Sequence, residues 1–198
     1  LTEATAHIAQ HMGIRHTIAP MSDDPVRTIV HCEQGDLAFQ HYFVRERCEP
    51  KVSGFSFSGI DQAHLNPLLK SWLSDCDGVI ICPSNPFVSV DPLLQLDGFG
   101  EALKNLPVVA VSPIVGGIAI KGPAAKMLQE MNMPATAVAI ANHYQGLIDG
   151  FVVDADDKKL IEQINVPTIS TPSVMVTLQD RIDLAKACVD FLMTLSAP

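Results

Sequence analysis

The chain has 198 residues, 47% of them apolar, enough for one domain with a sizeable core. The 13 basic and 22 acidic residues leave a net charge of −9, which excludes a general nucleic-acid or anionic-membrane surface, since phosphate binding needs a dense basic patch. No apolar run reaches membrane-spanning length, no basic-then-apolar leader opens the chain, and five cysteines without CxxC spacing imply a reduced, cytoplasmic protein.

The chain opens on Leu1 rather than Met, directly into a helical pattern, as a fragment or processed chain would. Residues 2–12 predict a helix stopped by Gly13, with Thr2 as its cap. Residues 16–21 predict a strand, followed by Ser22-Asp23-Asp24-Pro25. Residues 26–31 alternate and end at the turn sequence Glu33-Gln34-Gly35-Asp36, so a hairpin with 37–39 fits. Residues 40–47 predict a short helix carrying Arg45 and Arg47, and 52–57 is again strand-like. These short paired strands make 22–60 a hairpin or flap subregion outside the main sheet.

Asn66-Pro67 starts a helix to about residue 75, with an asparagine cap and proline at the first helical position. Val79-Ile80-Ile81-Cys82 lacks alternation, as a strand buried on both faces of a parallel sheet does. Helix follows over 98–105, a second buried strand over 107–111, and helix from Gly122-Pro123 to about 131. Residues 136–148 predict helix, although Val138 and Ile140 also allow a strand. A third buried strand spans 151–154, helix 156–164 and strand 167–170. In the closing helix, 179–195, Leu184, Ala187, Cys188, Phe191 and Leu192 share one face. From residue 66 onward strands alternate with helices, the signature of an α/β parallel sheet.

In open parallel sheets ligands sit outside the carboxyl ends of the strands. Pro83-Ser84-Asn85-Pro86 falls there, stiffened by two fixed φ angles; an ordinary turn is the competing reading. Ser112-Pro113-Ile114-Val115-Gly116-Gly117 follows the second buried strand, so both loops lie on one edge. Small residues there admit a ligand close to the backbone, and exposed amides can hold phosphate oxygens. Lys121, just before the Gly122-Pro123 helix start, suits a diphosphate, against the simpler reading of a solvated loop lysine. The glycine pair matches neither the dinucleotide fingerprint nor the P-loop.

Asp23-Asp24, with Arg27 nearby, can hold Mg²⁺ as paired carboxylates or serve as a turn or cap. His7 and His11, four apart, are a metal pair or a solvated helix face. His143-Tyr144 faces the ligand edge or packs its helix. No G-x-S-x-G occurs, and nothing demands a covalent intermediate.

MSDDPVRTIVH, FQHYFVRERCEP, PSNPFVSVDPLL, VSPIVGGIAIKGPAAKM and HYQGLIDGFVVD, in this order, resemble the 2-phospho-L-lactate transferase family over nearly the whole chain. The resemblance implies an α/β, Rossmann-like parallel sheet with helices on both faces, plus a small strand-rich insertion near the start. It implies a Mg²⁺-dependent transfer in coenzyme F-420 biosynthesis. A 2-phospholactyl or phosphoenolpyruvyl group moves from a guanosine diphosphate-linked donor to the hydroxyl of a deazaflavin precursor, releasing GMP. The matching positions are Ser84, Asn85, Pro86, Ser112, Ile114, Gly116, Gly117, Lys121 and Gly122 for nucleotide and phosphate. Asp23, Asp24, Arg27, Phe43 and Arg45 match for substrate.

The resemblance assigns no catalytic residue and no metal ligand. The family's glycine-rich GGTGG loop and acidic metal site have no counterpart here. The 198 residues therefore read as a single α/β domain that is the carboxy-terminal part of a larger one, inactive alone, with the metal ligands elsewhere. No nucleic-acid or membrane partner is expected, and the resemblance leaves room for a homodimer. The rival is a non-catalytic nucleotide-sugar-binding regulator of a sister branch; Arg45-Glu46-Arg47-Cys48 and residues 121–127 favour the transferase.

Overall fold

The computed structural model describes residues 1–120 and 122–195. Helix α1 (Thr2–His11) opens the chain. Thr2 does not cap it: its hydroxyl and amide donate to Asp23 Oδ1, at 2.9 and 2.6 Å. The strand expected over 16–21 is absent. No strand lies alongside these exposed or half-buried residues, and Pro20 has no N–H to give a ladder.

Strands β1 (Arg27–Cys32), β2 (Gly35–Ala38) and β3 (Val52–Ser58) make an antiparallel sheet in the order β2-β1-β3. Ile29 pairs with Ala38 and Val30 with Phe55. Between β2 and β3 the helix expected over 40–47 shrinks to one wide turn, His41–Arg45. The chain cannot continue it because Arg47 and Cys48 are left-handed, at φ +50° and +61°.

Helix α2 (Pro67–Asp75) starts as its sequence dictates: Asn66 Oδ1 accepts from the Leu68 amide at 2.9 Å, and Pro67 has no N–H to leave unpaired. Then come β4 (Val79–Ile81), a wide turn Pro86–Val90, α3 (Asp91–Leu94), α4 (Phe99–Leu103) and β5 (Val108–Val111). A small hairpin of β6 (Ile114–Val115) and β7 (Ile118–Ala119) leads to α5 (Ala124–Glu130) and α6 (Ala137–His143). Thr136 settles α6 as helix rather than strand, its hydroxyl accepting from the Ala139 amide at 3.2 Å. The chain closes with β8 (Gly150–Val153), a 3₁₀ segment Ala155–Gln163 where an α-helix is expected, β9 (Thr168–Ser170) and α7 (Leu178–Leu195).

The main sheet is parallel, in the order β4-β5-β8-β9. Val79 lies opposite Val108, Val109 opposite Gly150 and Phe151 opposite Thr168. Alternation along the central strands divides the core. Val108, Ala110, Phe151 and Val153 face the larger cluster, which also contains Val30 and Val52 of the small sheet. Val109, Val111 and Val152 face α7 and meet Leu184, Cys188 and Leu192. Helical elements thus cover both faces, and the small sheet shares the main core. All five cysteines are free, and no helix of the described residues is long and apolar enough to cross a membrane.

Two glycines let α7 lie close to the sheet. A Cβ on Gly78 would come within 2.7 Å of Leu192 Cδ2 and 2.9 Å of the Pro107 carbonyl oxygen. One on Gly150 would meet Leu195 Cδ1 at 2.6 Å and Phe191 Cε1 at 2.7 Å. The side chains can yield, but the Pro107 carbonyl belongs to the backbone. Gly78→Ala should therefore cost about 1–3 kcal/mol, lowering the thermal midpoint by ~2–4 °C per kcal/mol. Gly100→Ala, which meets nothing within 4 Å on α4, should leave the midpoint unchanged or raise it. Thermal unfolding of the two variants side by side checks the pair.

Candidate functional site

The carboxyl ends of β4, β5 and β9 frame a cavity of about 210 Å³. Pro83 and Asn85 line it from the loop after β4, Ser112 and Pro113 from the loop after β5, and Ile120 from just beyond β7. Ser173, Met175 and Arg181 line it from the segment joining β9 to α7 and from α7 itself. A wider depression of about 690 Å³ lies at the opposite end of the sheet, beside Asp77, Pro107 and Asp149. That is the amino end of the strands. In a parallel sheet the carboxyl end is where loops converge on a ligand, so the smaller cavity is the candidate.

The loops after β4 and β5 meet at one edge, but their polar groups are unequally available. Asn85 Oδ1 accepts from the Phe87 amide at 3.0 Å and its Nδ2 donates to Met127 Sδ at 3.2 Å. Ser112 is buried; its hydroxyl donates to the Ile114 carbonyl at 2.8 Å and accepts from the Ile114 amide at 3.1 Å. Pro86 and Ile114 are buried. Gly116 and Gly117, at φ +57° and +81°, form the two-residue turn between β6 and β7, where a type I′ hairpin needs positive φ at both positions. The Gly116 amide donates to Asp157 Oδ2 at 3.0 Å and is already satisfied. Gly122 is exposed at φ +71°, and Lys121 lies outside the described residues. Ser84 is half-buried, and no described group engages its hydroxyl.

The substrate candidates are elsewhere: none of Asp23, Asp24, Arg27, Phe43 and Arg45 lines this cavity. Asp23 accepts from Thr2. Asp24 Oδ2 accepts from the His64 amide at 2.9 Å and lies 3.0 Å from His64 Nδ1, so its carboxylate ties two loops together. Those His64 contacts, the backbone amide first, hold Asp24 below the usual carboxylate range. Arg27 is exposed at the start of β1, Phe43 stacks on Phe39 at 5.5 Å, and the exposed Arg45 lies 3.4 Å from Glu46. His143 packs rather than facing the edge: its Nε2 is 2.8 Å from Asp91 Oδ1, and its ring meets Phe87 edge-on.

Asp154, at the carboxyl end of β8, was not singled out by its sequence. It is 5% exposed, and its Oδ2 accepts from the Ser173 amide at 2.7 Å and hydroxyl at 2.8 Å. Its Oδ1 accepts from the Asp156 amide at 3.0 Å. Burial pushes this carboxyl up, but the hydrogen bonds from Asp156, Ser173 and Val174 outweigh it and hold the group below its ordinary value. Asp154 thereby fixes the segment bearing Ser173 and Met175. A signal was available: Thr171-Pro172-Ser173 repeats, after β9, the proline and serine that follow β4 and β5. Arg181 gave none, since only the packing of α7 brings it to the cavity.

The described residues do not make a Mg²⁺ centre. No group of three or more His, Cys, Asp or Glu side chains converges among them, and the cavity lining holds no carboxylate. Asp154 and Asp157 are committed to backbone amides, and Asp23 and Asp24 to Thr2 and His64.

The family described as 2-phospho-L-lactate transferase CofD matches residues 1–184. The 2-phospho-L-lactate transferase of Methanosarcina barkeri is 33% identical, covering 100% of this chain and 65% of that protein. That of Methanosarcina mazei is 32% identical, covering 96% of this chain and 63% of that protein. The chain thus spans just under two thirds of the length of these relatives. Among solved structures, a UPF0052-family protein from Bacillus halodurans shares the fold, with a TM-score of 0.63 at 16% identity over 93% of this chain and 65% of that one.

Removing the Asp154 carboxylate strands the Ser173 amide and hydroxyl. Asp154→Ala should cost about 1–3 kcal/mol at neutral pH. The folded-state pKa is depressed, so this stabilisation is present above the unfolded value, ~3.9, and is lost as pH falls through the folded one. Urea midpoints of parent and variant should therefore converge below about pH 4. A gap that persists undiminished well below about pH 4 would refute the role given to the charge.

Proposed function

The chain belongs to the 2-phospho-L-lactate transferase CofD family, and on that premise we propose that it supplies part of the substrate site of an enzyme transferring a 2-phospholactyl or phosphoenolpyruvyl group. The donor is guanosine diphosphate-linked and the acceptor is a deazaflavin precursor of coenzyme F-420. The acceptor's hydroxyl oxygen bonds to the phosphorus that is esterified to the C2 oxygen of the lactate or enolpyruvate. The bond from that phosphorus to the bridging oxygen breaks, GMP leaves with the electron pair, and the hydroxyl proton passes to solvent. Mg²⁺ belongs to this reading as a requirement of the reaction, with no ligand set assigned to it on this chain.

The observation that carries the proposal is the make-up of the carboxyl-edge cavity. Its lining combines a cation, small polar groups and two rigid prolines, with no nucleophile–base pair. Phosphoryl transfer asks for positioning and charge stabilisation rather than a covalent intermediate, and this lining suits that demand. The relatives named as transferases, at 33% and 32% identity, favour transfer over the nucleotide-sugar-binding alternative.

The test is turnover by the protein carrying this chain, with donor, acceptor and Mg²⁺, followed by chromatography of GMP and of the phosphodiester product. Equimolar appearance of the two is expected. Binding of a nucleotide-sugar without any GMP release would sink the reading. Ser84 lies between the lining residues Pro83 and Asn85, and no described group engages its hydroxyl; on this reading Ser84→Ala should lower kcat/KM by about tenfold, the worth of one hydrogen bond to a phosphate oxygen.

A further inference from the structure

We infer that Arg181 is the oxyanion anchor of the carboxyl-edge cavity, holding a phosphate or carboxylate while Ile120 and Met175 clasp the apolar part attached to it. This rests on the transferase reading and adds a residue to it.

Arg181 is the only charged side chain among the described residues lining the cavity, and none of the others is acidic. No ion pair engages it among the described residues. Its neighbour Asp180 does not neutralise it by direct contact. The Asp180 Oδ2 atom instead accepts from the Val176 and Thr177 amides at 3.0 and 2.7 Å, while Thr177 Oγ1 accepts from the Asp180 amide at 3.2 Å. This reciprocal cap fixes the start of α7, and with it the point from which Arg181 reaches out. A cation near the beginning of a helix opposes the helix dipole. Such a locally unfavourable choice is expected where function rather than folding selects the residue.

The apolar half of the site has its own evidence. Ile120 is 44% exposed and Met175 38% exposed at the mouth of the cavity, although both are large apolar side chains. Met175 sits two residues after Ser173, which Asp154 pins, so its backbone is held while its flexible thioether can adapt to a ligand. Pro83 and Pro113 supply rigid walls. A volume of about 210 Å³ is below the ~300–1,000 Å³ of sites that enclose a drug-sized ligand, so the cavity takes one small oxyanion-bearing group, not a whole nucleotide. A guanidinium binds either a phosphate or a carboxylate through two parallel N–H donors. A phosphorylated hydroxy acid offers both.

Calorimetric titration of the chain at low ionic strength with 2-phospholactate, lactate and inorganic phosphate separates the two sources. Binding of inorganic phosphate but not lactate would identify the phosphate as the held group; the reverse would identify the carboxylate. Arg181→Gln should weaken 2-phospholactate binding by about 10- to 100-fold, and Arg181→Lys should recover part of the loss. Met175→Ala should weaken 2-phospholactate but leave the smaller ion unaffected. Lys104→Gln, which removes one charge from a residue paired with Glu101, should change nothing. An unchanged thermal midpoint for Arg181→Gln would show that the exposed substitution leaves the fold intact.

Equal affinity of parent and Arg181→Gln, or no binding of any of the three probes by the parent, overturns the inference. The transferase reading fails separately. Loss of binding in Arg181→Gln without GMP release by the protein carrying this chain would keep the anchor and discard the reaction. GMP release with binding insensitive to Arg181 would do the opposite.

Discussion

A buried carboxylate organises the ligand edge. Asp154 directly follows β8, caps the 3₁₀ segment that comes next and accepts both donors of Ser173 from the far side of β9. One side chain thus joins three pieces of chain that the parallel sheet alone would leave free to splay. Its neighbour in that segment, Asp157, extends the arrangement by accepting from the Gly116 amide in the turn between β6 and β7. Two carboxylates therefore give the edge its shape by satisfying backbone amides. Of the donors they satisfy, the Ser173 amide and hydroxyl are buried, so their acceptor is the costly one to remove.

The small sheet is tied to the same edge by packing and by charge. Glu130 on α5 accepts from the Val52 amide at 3.0 Å and pairs with Lys126 at 2.6 Å, while Lys126 donates to the Pro50 carbonyl at 3.0 Å. Phe55 of β3 stacks on Phe87 at 5.4 Å, and Phe87 meets the His143 ring at 5.2 Å. Phe87 also donates its amide to Asn85. The insertion therefore braces the turn that presents Ser84 and Asn85, without contributing its own candidate residues to the cavity lining. Because Val30 and Val52 share a core with Val108 and Ala110, a change in the small sheet would be felt at the site as a loss of support.

The regular parts were legible because periodicity and caps are local. VVAV and FVVD announce strands buried on both faces, and the strands they announce, Val108–Val111 and Gly150–Val153, occupy the centre of the sheet. Asn66-Pro67 announces α2, and the spacing of Leu184, Cys188 and Leu192 announces the face by which α7 packs. The failures fall where local preference had no tertiary partner or met a conflicting backbone. Residues 16–21 look like a strand but find no neighbour, and the helix after Gln40 stops at two left-handed residues that nothing in QHYFVRER signals. The glycine pair was legible as small and mobile in φ, and the structure places it in the hairpin turn between β6 and β7.

Residue order along the chain was enough to reveal the alternation of strands and helices, the edge on which loops gather and, through motifs in a fixed order, the family. Those follow from spacing along the chain, which hydrophobic burial and backbone geometry read directly. Only the tertiary structure decided which polar groups at that edge remain available. Asn85, Ser112 and Gly116 are consumed by neighbours, Ser84 is not, and Arg181 arrives from a helix about 100 residues away in sequence. A hydrogen-bond donor can be assigned to a ligand only after its internal acceptors are known, and those acceptors, Asp157 for Gly116 above all, are set by the packing of distant segments.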